Sequence, residues 1–133
     1  MIPPFEDSGY LPPGVHAATL DEIEDRFGME TEIRRAEMQS LRWLVEIARR
    51  AGLPKMIVNG SFVSDIAEPN DVDCILLFAP PIPKEQSALD ELEQGLPFIQ
   101  LYVIETDGYN HFIDGLFALD RNNEPKGMIE VNL

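Results

Sequence analysis

Lys55-Met56-Ile57-Val58-Asn59-Gly60-Ser61, a spacer of nine residues from Phe62 to Asn70, and Asp71-Val72-Asp73-Cys74-Ile75-Leu76-Leu77-Phe78 form the stretch that decides how this chain folds. The first run reads as a short strand ending at Gly60, and the last as a strand that becomes wholly apolar and hence central. The spacer reads as a turn or short helix closed by the Pro69-Asn70 turn. Side chains alternate along a strand, so Asp71 and Asp73 project to one face, about 7 Å apart at the α-carbon, while Val72 and Cys74 enter the core. Two carboxylates on one face can bind a pair of divalent ions, which stand roughly 3.5–4 Å apart in two-metal phosphoryl-transfer sites. Without a cation, two ionised carboxylates about 4 Å apart repel by about 4 kcal/mol at an effective dielectric of 20. Gly60 lets the backbone approach a phosphate, and the Ser61 hydroxyl with the N–H groups after it can donate to the phosphate oxygens. The expectation is one phosphate-and-metal cradle, formed by Gly60-Ser61 with Asp71 and Asp73.

Each part has a plainer reading when taken alone. An Asp-x-Asp after Pro-Asn is common turn chemistry, Gly60 a turn glycine and Ser61 a helix cap. The combination, at this spacing and after an apolar strand, selects the site reading.

Upstream, residues 1–16 hold Pro3-Pro4, Gly9, Pro12-Pro13 and Gly14 between Phe5, Tyr10 and Leu11, which predicts an irregular arm held by its aromatics. Thr19-Leu20-Asp21-Glu22 matches a capping box and predicts a helix from Leu20 to Phe27, closed by Gly28. From Thr31 the apolar positions Ile33, Met38, Leu41, Leu44, Val45, Ala48 and Ala51 recur at three- and four-residue steps, predicting the longest helix, stopped by Gly52 and Pro54. Its arginines Arg34, Arg35, Arg49 and Arg50 read as a solvated face. Downstream, a helix is expected over Ser87–Gln94, a strand over Pro97–Glu105, an ambiguous helix over Tyr109–Leu119 and an edge strand over Met128–Leu133. The fold class is therefore α/β (α+β), a mixed sheet with helices packed on it, as one compact domain over residues 1–133.

Composition narrows the partners. The chain has 133 residues with 44% hydrophobic and 26% charged content, enough for a single core. Its longest apolar run, Cys74 to Pro83, is broken by prolines and shorter than the roughly 18 residues of a membrane span. The N-terminus lacks the basic start of a secretory signal and Cys74 is the single cysteine, so a reducing cytoplasm is expected. With 24 acidic and 10 basic residues the net charge is -14, which argues against nucleic acid and means that a triphosphate needs metal and a local cluster of donors. His16 and His111 lack ligand spacing and read as structural or surface, Cys74 as packed core, Trp43 as a core or partner contact, and Lys126 as a phosphate candidate.

An apolar residue, Gly-Ser, a spacer and Asp-x-Asp resembles the signature of the polymerase-beta-like nucleotidyltransferase superfamily, and its smallest members most. Tyr10-Leu11-Pro12-Pro13-Gly14-Val15-His16, Gly60-Ser61-Phe62-Val63-Ser64, Pro69-Asn70-Asp71-Val72-Asp73 and Lys126-Gly127-Met128-Ile129-Glu130 are also similar to a bacterial and phage-borne group of small nucleotidyltransferase-like proteins. The resemblance implies transfer of a nucleoside monophosphate from ATP or another nucleoside triphosphate to a protein or small-molecule acceptor, with Asp71 and Asp73 catalytic and holding Mg²⁺ (or Mn²⁺) and Gly60 and Ser61 holding phosphates. It also implies a third acidic residue on the next long strand, where this chain has Gln100; Glu105 substitutes only in another register. A neutral amide serves poorly as base or metal ligand. Two further classes stand beside the enzyme: a binding module that keeps the fold as an antitoxin-like or regulatory partner, and an acidic interaction protein.

Overall fold

The protein is described from a computed structural model covering residues 2–78, 85–105 and 126–133. The helix expected over Tyr109–Leu119, and His111 within it, lie outside the described residues.

Thr19 caps helix α1 (Leu20–Phe27) reciprocally with Glu22, and Gly28 closes it. The second helix, α2 (Glu32–Arg50), is capped by the Thr31 side chain and buries Met38, Leu41, Leu44, Val45, Ile47 and Ala48. Strand β2 (Lys55–Asn59) leads through Gly60 into one 3₁₀ turn (Ser61–Val63), and β3 (Val72–Phe78) returns antiparallel beside it. Helix α3 (Gln86–Gln94) precedes β4 (Ile99–Glu105), which lies parallel to β3, and β5 (Gly127–Asn132) closes the described chain.

Two features depart from the sequence reading. Gly14–Ala17, whose first three residues fall in the expected irregular arm, forms strand β1, parallel to β5. β5 is therefore interior, in the sheet order β1-β5-β2-β3-β4, and not an edge. The arm itself is tied down: Leu11 is buried, Glu6 N–H donates to the Tyr10 carbonyl at 2.8 Å, and Tyr10 bridges Ser64.

Alternation divides the sheet. Met56, Val58, Val72, Cys74, Leu76, Ile129 and Val131 join the helices in the main core, with Ile99 and Leu101 packed against it. Ile57, Ile75 and Met128, with Ile104, form a second cluster on the opposite face. By the same parity Asp71, Asp73 and Gln100 belong to the face away from the helices. Among the described residues no helix is long and apolar enough to cross a membrane.

Candidate functional site

The end of β2 and the start of β3 bring the two halves of the sequence motif together. Gly60 has φ +80°, a conformation that an L side chain rarely adopts, and this lets the chain turn sharply from the strand into Ser61–Val63. A β-carbon at Gly60 would lie 2.2 Å from Asp73 Oδ2. The nearest reason for glycine here is thus the Asp73 carboxylate itself. A larger residue would displace Asp73 before it met any phosphate.

Asp71 and Asp73 are half-buried while Val72 and Cys74 are buried, as strand alternation requires. In register, Asp73 stands between Asn59 on β2 and Gln100 on β4. Directly paired residues share a face, so one carboxylate is bracketed by two amides. Asn59, which the sequence reading passed over, is 1% exposed. Gln100 occupies the place where the resemblance sought a third carboxylate. Glu105 pairs with Phe78 five residues along β4, about 16 Å away at ~3.3 Å per residue and on the other face, and does not reach the aspartates.

Burial raises the Asp73 carboxyl above the ordinary carboxylate range; the Asp71 charge pushes the same way, and Lys126 opposes both. Lys126 immediately precedes β5, which runs antiparallel to β2 with Ile129 opposite Val58, so it stands at the Gly60 end of the sheet. Cys74 is buried and its thiol is raised by desolvation, which makes it core rather than nucleophile. His16 is structural: its Nε2 lies 2.7 Å from the Pro12 carbonyl oxygen.

Behind the site, α2 contributes two buried charged side chains. Arg34, read from sequence as part of a solvated face, is 2% exposed. Its guanidinium donates to the carbonyls of Phe27 at 3.0 Å, Phe62 at 2.7 Å, Ser64 at 2.9 Å and Ile66 at 2.5 Å, pinning the segment after Ser61. The Ser64 hydroxyl adds a bond to the Ser61 carbonyl at 2.7 Å. One turn along, Glu37 is fully buried, and among the described residues neither carboxylate oxygen has a hydrogen-bond partner. Its pKa is pushed up to about 7 by burial, against the pull of Arg34 and with the added push of Asp71. Three other arginines of α2 are engaged elsewhere: Arg35 donates to the Met29 carbonyl, Arg42 pairs with Asp21 and Glu24, and Arg50 with Glu85 and Glu91. Trp43 is 46% exposed and is not a core residue.

The model of DUF6932, a family of unknown function, matches residues 3–132. The chain belongs to this family. In this DUF6932 chain the match takes in Gly60, Ser61, Asp71, Asp73, Gln100 and Lys126 alike. No curated protein matches it. Among solved structures, that of a "putative nucleotidyltransferase" from Sulfolobus solfataricus is similar at 14% identity and TM-score 0.44, over 74% of this chain and 96% of that one. A likeness this distant says nothing about ligand or reaction.

Proposed function

We propose that this protein binds a nucleoside triphosphate with Mg²⁺ or Mn²⁺ and transfers its nucleoside monophosphate to a protein or small-molecule acceptor. The observation that carries the reading is the convergence of Gly60-Ser61, Asp71 and Asp73 at one end of the sheet, where β2 ends and β3 begins. The donor set suits a hard divalent cation, because it offers carboxylate oxygens, and a cation would offset both the burial and the Asp71 charge that raise Asp73. Among the described residues no group of three or more His, Cys, Asp or Glu gathers as a metal cage. Asp71 and Asp73 would therefore hold the ion together with triphosphate oxygens and water. Bound there, it would neutralise charge on the transferring phosphoryl group.

The remaining roles fall to the chain. The Ser61 hydroxyl would donate to a phosphate oxygen, on a segment held by the Arg34 anchorage, and Lys126 would supply positive charge beside it. In the transfer an acceptor oxygen bonds to the α-phosphorus, the bond to the β-bridging oxygen breaks, pyrophosphate leaves, and the acceptor proton passes to solvent. Gln100 beside Asp73 favours a second reading, a binding module that holds metal and nucleotide without efficient turnover, since the amide cannot take that proton.

Pyrophosphate release, measured with each of the four ribonucleoside triphosphates and Mg²⁺ or Mn²⁺, tests the proposal. Wild-type release that Asp71→Asn abolishes is expected. Triphosphate binding without release would move the protein to the second reading, and neither binding nor release would contradict both.

A further inference from the structure

Among the described residues Phe98 is the single non-glycine with positive φ, at 64°. Ile99 N–H donates to the Leu96 carbonyl at 3.2 Å, which makes Leu96-Pro97-Phe98-Ile99 a hydrogen-bonded β-turn. With proline second and positive φ third, it is a type II turn, since a primed turn would need φ that proline cannot adopt. The third position of such a turn is one for glycine or asparagine; a bulky aromatic is an outlier there. The same residue is 39% exposed, so the strain does not serve to bury the ring fully.

Its place in the fold is specific. The Phe98 carbonyl accepts from Val72 N–H at 2.7 Å, between Asp71 and Asp73, and Phe98 stands two residues before Gln100 on the strand that flanks Asp73. The backbone of a strained, exposed aromatic is thus bonded to the residue between the two aspartates. Strain of this kind persists where the surroundings enforce it and concentrates at ligand sites. The electrostatics give it a use: in a chain of net charge -14, with Lys126 acting on Asp73, a triphosphate gains little from long-range attraction. An aromatic face supplies affinity that does not depend on charge, and every nucleobase can stack on it.

We propose that Phe98 is the stacking platform for the base of the nucleoside triphosphate, an inference that rests on the nucleotide reading of Asp71 and Asp73. Its signature is loss of recognition of the base with recognition of the phosphates retained.

Isothermal titration in the presence of Mg²⁺, with ATP and with inorganic tripolyphosphate as the base-free probe, makes the test on wild type, Phe98→Gly and Phe98→Tyr. Wild type is expected to bind ATP more tightly than tripolyphosphate. Phe98→Gly should weaken ATP by about 5- to 150-fold, the range of one lost base stack, and leave tripolyphosphate unchanged. Phe98→Tyr should keep the ATP affinity. Unchanged ATP binding by Phe98→Gly overturns the inference, and so does an equal loss for both probes, which would mark Phe98 as purely structural. If wild type binds neither probe, the nucleotide reading fails first and the stacking role falls with it.

Discussion

Glu37 shows most directly what a single residue does in this fold. Its carboxyl is fully buried without a hydrogen-bond partner among the described residues, and its pKa is pushed up to about 7, mainly by burial. A carboxyl whose folded pKa lies above the unfolded value binds more protons folded than unfolded. Its stabilising share is therefore complete below about pH 4.5 and is lost as pH rises through about 7. The difference is worth about 3 kcal/mol, at ~1.4 kcal/mol per pH unit. In metal-free buffer, the gap in melting temperature between Glu37→Gln and wild type should open in favour of the variant between pH 5 and pH 8. A gap that stays constant over that range would mean that Glu37 does not titrate there. The raised Asp73 acts in the same direction but is common to both proteins, so the comparison isolates Glu37. None of this was legible in the sequence, where Glu37 and Arg34 read like any charges between apolar positions of an amphipathic helix. Their burial depends on which loop the tertiary fold lays over that part of α2. By contrast Asp71 and Asp73 were legible, because strand alternation alone assigns them one face.

At the scale of elements, local chemistry reached furthest where it is strongest. The capping box bounded α1 and the apolar periodicity bounded α2, while Gly60 ended β2, each as read. β1 was missed because Gly14–Ala17 is four residues long, follows two prolines and shows no alternation; it is a strand because β5 pairs with it. The parallel pairing of β3 and β4 matters most for chemistry. It sets Gln100 beside Asp73 and Glu105 at the far end, so the residue facing the pair is an amide. Gln100→Asp should therefore speed pyrophosphate release over wild type. General-base assistance typically supplies a factor of about 100 to 10,000, and the gain here should fall toward or below the lower figure because no supporting hydrogen bonds have been built around the new carboxylate. Brisk wild-type turnover that the substitution slows would show that Gln100 itself serves the reaction.

Across the whole molecule the acidic excess and the aspartate pair act together. A net charge of -14 disfavours the compact state, and Asp73, raised by burial and by the Asp71 charge, gains from a counter-ion. Millimolar Mg²⁺ should raise the melting temperature of wild type and not of Asp71→Asn/Asp73→Asn protein. Ligand at 100 times its Kd adds about 2.7 kcal/mol by mass action. Equal shifts in the two proteins would assign the effect to general screening of the acidic surface.

The central claim is that Asp71 and Asp73 hold a divalent ion beside Gly60-Ser61. Anomalous diffraction from crystals soaked with Mn²⁺ and a non-hydrolysable nucleoside triphosphate tests it most directly. The account predicts a manganese peak in contact with both carboxylates, with the phosphates against Gly60-Ser61, and no peak in Asp71→Asn/Asp73→Asn crystals. Ordered Asp71 and Asp73 side chains with no peak beside them, or a peak bound elsewhere with the nucleotide, would contradict it.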